Sequence, residues 1–285
     1  MWLLAQKHRA NPENLCASVS PWPILSVPLW RILSVALVLG LATHGSAVTA
    51  SKSTPVLVEL FTSEGCSSCP PADALLRTLA DTQPIAGAEI IALSQHVDYW
   101  DQLGWRDRFS SAALTNRQQQ YGRAFNIDSI YTPQMVVDGR EEFVGSDASR
   151  ARRAIGKALS APHALVSIAL DLTGSDRVAV TVTARDLPDV SRGDHADTVV
   201  AVTEDRLRSE VRSGENKGRL LTHTAVVREL RVVRGATPPD LSARSEVTLA
   251  PDWQREHLRI VAFLQERASR RVLGAAAVPL PSARR

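Results

Sequence analysis

Charge of one sign is scarce in this chain. The formal net charge is only +3, from 33 basic and 30 acidic side chains mixed along 285 residues. Setting aside Lys7, Arg9, Arg31 and Glu13, all in the leading segment, leaves a nearly even balance, so a nucleic-acid-binding patch is not expected. Long apolar runs are also missing: the stretch Ile32–Ala42 falls short of the about 20 residues that a membrane span takes. Cysteine occurs three times, as Cys16, Cys66 and Cys69. No second Cys/His pair stands at zinc spacing, which argues against a structural zinc site. G-x-G-x-x-G, P-loop and G-x-S-x-G motifs are absent, and with them the activities they mark. Internal repeats and low-complexity tracts are absent too. What is present is a hydrophobic content of 44%, enough to build one large domain or two ordinary ones.

The first 47 residues read as a leader. Arg31 precedes the apolar run, small residues follow, and Gly45-Ser46-Ala47 offers a cleavage site of the A-x-A kind, with no stop-transfer pattern after it. A mature N-terminus near Val48 is expected, and a periplasmic or secreted protein with it; a membrane is involved only if the leader stays uncleaved. The Pro-rich residues before Trp30 fit a signal poorly, and Val27 or Leu29 is a candidate true start. Cleavage removes Cys16 and leaves Cys66 and Cys69, as "CSSC", in an oxidising compartment. A structural staple normally closes a longer loop, so the two-residue spacing favours another use.

Residues 54–160 alternate strand and helix. "PVLVELF" (55–61) and "AEIIALSQHV" (88–97) are nearly continuous apolar runs, as expected of strands covered on both faces. Between them Ala72, Leu75, Leu76, Leu79 and Ala80 recur at helical spacing. A polar helix is expected over 110–125, and "PQMVVDGREEFVG" (133–145) reads as a hairpin turning at Asp138-Gly139. "SDASRARRAIGKAL" (146–159) opens with cap residues and carries one apolar face. The order is β-α-β-α-β-β-α, with Cys66 at the first strand–helix junction and Thr132-Pro133 just before the hairpin.

"CSSC" after the first strand and "YTPQMVV" before the third resemble the thioredoxin fold. Together with "VELFTSEGCSSCPPAD" and "HVDYWDQLGW", they also resemble an uncharacterised family of exported bacterial thioredoxin-like proteins, known as a domain of unknown function. The resemblance covers about residues 54–160 and implies thiol–disulfide exchange with the thiols and disulfides of other exported proteins. Cys66, taken to sit at the helix N-terminus where a thiolate is favoured, is then the attacking sulfur, and Cys69 the resolving one. Pro70 and Pro71 depart from the commonest thioredoxin pattern. Pro133 matches the cis-proline of the fold and presents Thr132 to a substrate chain. Glu59 falls near the buried acid that assists the resolving cysteine; it is either such a base, with a pKa raised by burial, or a strand-edge carboxylate facing water.

His96, Asp98, Trp100 and Trp105 follow the second strand and are placed to wall the cysteines, although Trp105 is read rather as packing under a loop. Cys66, Cys69 and His96 also make a three-ligand set suited to Cu(I), which keeps a copper-handling protein open as an alternative. A binding protein with a permanent disulfide is another. After a linker at 160–164, about seven short strands over 163–280 suggest a separate, mainly antiparallel β-sandwich-like domain. His223 reads there as an ordinary strand histidine, and Arg212, Asn216 and Lys217 as parts of a solvated loop.

Overall fold

A computed structural model describes residues 53–233 and 241–281, so the expected leader, with Cys16 and the cleavage point near Val48, lies outside the described residues. Strand β1 (Thr54–Thr62) runs parallel to β2 (Ala88–His96), with Val56 opposite Ile90 and Thr62 opposite His96. Successive side chains of a strand point to opposite faces. Val58 and Leu60 therefore join Leu76 and Leu79 of α1 (Pro70–Thr82) and Ile155 of α3 (Ala148–Ala158) in one core. Leu57 and Phe61 belong to the other face, against Leu114 and Tyr121 of α2 (Ala112–Phe125). Helices on both faces explain why β1 is apolar almost throughout.

Local signals set the element ends. Ser111 caps α2 by accepting from the Leu114 N–H, and Asp147 caps α3 by accepting from the Arg150 N–H. The hairpin of β3 (Gln134–Val137) and β4 (Glu141–Val144) turns where sequence places it, with Asp138 and Gly139 both at positive φ. A side chain at Gly139 would run into the Arg270 carbonyl, so that position has room only for glycine. The Thr132–Pro133 peptide that leads into β3 is cis, as expected.

The second half departs from expectation. Its strands do not all form a sheet of their own. The large sheet has the order β13-β12-β7-β10-β2-β1-β3-β4, so β7 (Ala196–Glu204), β10 (Val226–Val233), β12 (Leu258–Glu266) and β13 (Val272–Pro279) extend the sheet begun by β1 and β2. β10 meets β2 in parallel through Val226 opposite Ser94, and the Ser94 N–H donates to the Ala225 carbonyl at 2.8 Å. The physical reason lies in β7, all nine of whose residues are buried. Val199 and Ala201 pack with Leu57 and Leu93 on one face, while Val200 and Val202 pack on the other with Val178, Val180 and Val182. A strand covered on both faces belongs in the interior of a sheet. The three valines last named come from a smaller sheet of β11 (Leu241–Thr248), β6 (Arg177–Arg185) and β5 (Leu165–Leu172). A hairpin of β8 (Leu207–Glu210) and β9 (Leu220–His223) stands apart as a third. The fold is thus mixed α/β, mostly strand, around one large mixed sheet, and Ala50–Arg285 is a single compact unit.

Candidate functional site

The carboxyl ends of parallel strands β1 and β2 lie side by side, an arrangement that commonly borders a functional site in open α/β sheets. From the end of β1 the chain enters a tight loop. The Gly65 N–H donates to Ser63 Oγ at 3.1 Å and the Cys66 N–H to the Ser63 carbonyl at 3.2 Å. Cys66 and Cys69 are joined in a disulfide, and neither has any exposed surface, although Ser67 and Ser68 between them are exposed.

The expectation that Cys66 begins the helix is corrected. Helix α1 starts at Pro70, with Cys69 at its N-cap and the two prolines in its first positions. Proline is tolerated there because the first helical N–H groups have no partner inside the helix, so the double proline sets the helix start rather than distorting it. The positive end of α1 therefore bears on Cys69. Cys66 Sγ lies 3.4 Å from Ser68 Oγ.

Glu59 is also corrected. It is buried, but on the α2 face of β1, away from α1 and the disulfide. Arg117 holds it with Nε at 2.7 Å and Nη2 at 2.9 Å, and Tyr121 and Gln95 donate to it as well. Burial pushes its pKa up, but the Arg117 charge and these hydrogen bonds outweigh it and hold the carboxyl below the ordinary range. It is the charged partner of a buried ion pair with Arg117.

The acid on the cysteine face is Asp73, four residues after Cys69 and hence on the same side of α1. Its N–H donates to the Cys69 carbonyl at 3.1 Å, and its carboxylate accepts from Thr62 Oγ1 at 2.8 Å. Burial raises the Asp73 pKa, against the opposing charges of His223 and His96.

Around it lies a buried cluster assembled from both halves of the chain. His96 Nδ1 is 2.6 Å from Asp107 Oδ2, and His223 Nε2 is 3.0 Å from Glu64 Oε1. The two imidazoles meet edge to face with centroids 4.9 Å apart. Trp105 Nε1 donates to Glu64 Oε2 at 2.8 Å, and the Glu64 N–H donates to Asp107 Oδ2 at 2.9 Å. Burial opposes the charged form of His96, but Asp107, then Asp73 and Glu64, raise its pKa above the usual value. Burial likewise raises Glu64 and Asp107, but hydrogen bonding from His223 and the His96 charge respectively win, and both carboxylates sit below their ordinary range. His96 Nε2 and His223 Nδ1 are buried without a partner among the described residues.

The loop between β8 and β9 covers the C-x-x-C segment. Asn216, fully buried, donates from Nδ2 to the carbonyls of Glu64 at 2.8 Å and Cys66 at 2.9 Å, and Glu215 accepts from the Ser67 N–H at 3.0 Å. Trp100 closes another side: its Cβ leaves no slack for a side chain at Gly65, and its Nε1 donates to Thr132 Oγ1 at 2.8 Å.

Of the residues singled out from sequence, Cys66, Cys69, Thr132, Trp100 and His96 thus gather here, while Pro133 stands over α1 at Ala72, both against Gly145. Trp105 joins them rather than merely packing under a loop. Asp98 does not; it accepts from Thr115 Oγ1 and pins the loop to α2. His223 and Asn216, which in sequence read as an ordinary strand histidine and a solvated loop residue, are part of the site. Nothing local in the sequence marks them, because the topology brings them in from about 150 residues downstream of the cysteines, as the Asn216–Cys66 separation of 150 shows. Asp73 has a signal within reach, since its spacing from Cys69 is legible. The copper set fares differently: its sulfurs are bonded to each other, His96 Nδ1 is on Asp107, and among the described residues no group of three or more His, Cys, Asp or Glu is arranged to hold a metal ion. No described helix is long and apolar enough to cross a membrane.

Residues 57–265 match the family described as "Protein of unknown function (DUF1223)", so the chain belongs to that family. A crystal structure of a protein from Agrobacterium tumefaciens is similar at 26% identity and a TM-score of 0.58, over 81% of this chain and 97% of that one. HBP35 of Porphyromonas gingivalis shares the fold at 16% identity and a TM-score of 0.56, over 82% and 78% of the two chains. No curated protein matches in sequence.

Proposed function

We propose that this member of the family is an exported, periplasmic or secreted thiol–disulfide oxidoreductase whose N-terminal half is a thioredoxin-like unit. The observation that carries the reading is the Cys66–Cys69 disulfide, ahead of α1 at the carboxyl ends of β1 and β2, with the cis Thr132–Pro133 peptide leading into the neighbouring β3. The order β1-α1-β2-α2-β3-β4-α3 supports the finer fold.

A thiolate of an exported protein attacks Cys66 Sγ. The Cys66–Cys69 bond breaks, a mixed disulfide forms at Cys66, and the electron pair leaves on Cys69. A thiolate of lower pKa leaves faster, and Cys69 stands at the N-cap of α1, where the helix dipole favours the anion. Cys66 therefore keeps its role as the sulfur that bonds substrate, and the helix assists Cys69. The second substrate thiolate then attacks the mixed disulfide; substrate leaves oxidised and the protein dithiol is reduced. The sequence runs equally in reverse. Asp73, with its raised pKa, takes the proton-handling part that sequence assigns to Glu59.

The buried disulfide supports a second reading, a binding protein whose disulfide is permanent. Equilibration in glutathione buffers of graded potential separates the two. The oxidoreductase reading expects reversible titration of Cys66 and Cys69 and catalysed exchange that Cys66→Ser abolishes. A disulfide that resists reduction in the folded protein would defeat it. A parallel Cu(I) titration of the reduced protein tests copper handling: tight binding without disulfide turnover would replace the oxidoreductase reading with that one.

A further inference from the structure

Two cavities flank the β8–β9 hairpin, and Arg208 on β8 borders both. The first, about 530 Å³, is lined by Arg77, Arg206, Arg208 and His223, together with Asp81 and Asp205. The second, about 760 Å³, is lined by Trp105, Arg108, Arg208 and Arg212, with Glu210 and the exposed Leu220. Five guanidinium groups thus face three carboxylates, one of which, Asp205, already accepts from the Ala225 N–H. Arg77 reaches Thr222 and Arg108 holds the Arg208 carbonyl, whereas the guanidinium groups of Arg206, Arg208 and Arg212 bond no described residue. This local excess of arginine stands out in a chain whose charges otherwise nearly cancel.

The two cavities converge on one carboxylate. Trp105, a wall of the second, donates to Glu64 Oε2, and His223, a wall of the first, is bonded to Glu64 Oε1. Glu64 lies two residues before Cys66, and Asn216 bonds the carbonyls of both. Both cavities are thus joined through their walls to the loop that carries the disulfide.

We propose that the arginine-lined face of the β8–β9 hairpin docks an acidic peptide segment, which makes an acidic stretch beside the reacting thiols the feature that selects a substrate protein. The inference rests on the oxidoreductase reading only for the word substrate. Arginine suits the task because its planar fork pairs with carboxylates and it stays charged at any working pH. Leu220 and Trp105 add apolar surface beside the charges, and opposite charge speeds and orients the encounter.

The test uses the full chain with Cys66→Ser and Cys69→Ser, in which no exchange can occur, and a blocked, dye-labelled hexaglutamate peptide followed by anisotropy. Hexaglutamate should bind, and hexaglutamine and hexalysine should not. Binding should weaken as salt is raised, since exposed charges are screened over about 10 Å at 0.1 M. Arg208→Ala with Arg212→Ala should weaken it about tenfold or more, and Arg208→Glu further. Arg152→Ala, on α3, is the control and should leave it unchanged. Equal binding of hexaglutamate and hexaglutamine, or indifference to the Arg208 and Arg212 changes in a protein with an unaltered melt, would overturn the proposal. Because the sulfurs are absent, loss of the oxidoreductase reading leaves this result standing, and failure here leaves catalysed exchange of a small disulfide untouched.

Discussion

Glu59 and Glu64 are both buried acids, one inside β1 and the other just beyond it, and both are held below the ordinary carboxylate range. Their surroundings differ in kind. Glu59 faces an arginine that cannot lose its proton, and Arg117 further ties it to Gln265 on β12. Glu64 faces His223, within a group that also holds His96, Asp107 and Asp73, and whose imidazoles keep two nitrogens without a partner among the described residues. A buried pair with a fixed charge and saturated hydrogen bonds belongs to a scaffold. A buried group whose proton count is adjustable belongs to a site, because histidine is the side chain whose ordinary pKa lies within the working pH range.

Breaking the scaffold pair should give the largest effect. Arg117→Ala leaves Glu59 charged, buried and unpaired, a change that costs about 3–5 kcal/mol. A thermal melt should fall by about 10 °C for a chain of this size. An unaltered melt would mean that Glu59 is not the fixed anion described above.

The site is sharpened by Asp73→Asn. Exchange should slow by about a hundredfold or more, in line with the usual worth of a positioned acid or base, and the pH dependence of the rate should flatten. The corresponding change at Glu59, made as Glu59→Gln in any protein that still folds, should leave the shape of that pH profile alone. If instead Glu59→Gln flattens it, the two acids have been assigned the wrong way round.

The pH dependence of stability separates the clusters next. On the acid side both lose: Glu59, Glu64 and Asp107 have depressed pKa values, so their stabilisation is complete above the ordinary carboxylate range and is lost as pH falls through the folded values. On the alkaline side only the histidine cluster loses. His96 has a raised pKa, so its contribution is complete below 6.5 and disappears as pH rises through the folded value. The stability of the wild type in urea, followed from pH 5 to 9, should therefore decline at the upper end, and Asp107→Asn should remove the decline. A decline that survives Asp107→Asn has another source.

The smallest effect is expected at the cover. Asn216→Ala removes two hydrogen bonds, each worth about 1 kcal/mol, between the β8–β9 loop and the C-x-x-C segment. Reduction of the native disulfide by dithiothreitol should quicken about thirtyfold if opening this loop gates access, a factor of about 2 kcal/mol. An unchanged rate would place the gate elsewhere, at Trp100 or Pro133.

How far the sequence speaks for itself follows the same division. β1, α1, β2 and the Asp138-Gly139 hairpin are set by runs and turns within a few residues of each other, and they are legible; the cis bond at Pro133 is legible only through the resemblance to the thioredoxin fold. Cys66 and Cys69 are legible as a pair, but the helix starts later than the cysteine spacing suggests, because the double proline, which looks like a departure, is in fact the N1–N2 signal. Glu59 misleads for a reason of parity. On a strand an odd and an even residue face opposite ways, and the acid that shares a face with α1 is found on the helix, at Asp73. The union of the two halves in one sheet has a signal in "DTVVAVTED", whose unbroken apolar run asks for cover on both faces. The contribution of His223 and Asn216 has none, since it depends on which strand β10 lies beside.

That last neighbour relation has a consequence for how the protein is made. During synthesis β2 emerges long before β10, and the single parallel bridge from Val226 to Ser94 closes only after more than a hundred further residues have followed. Until then β2 is an open edge flanked by Leu57, Ile91 and Leu93, with no cover yet from Val199, Val227 and Phe263. An unpaired apolar edge is where nascent chains stick to one another. A chain stopped near Ala161 should thus be recovered as aggregate, and the newborn protein is most exposed to self-association during the time it takes to translate the second half.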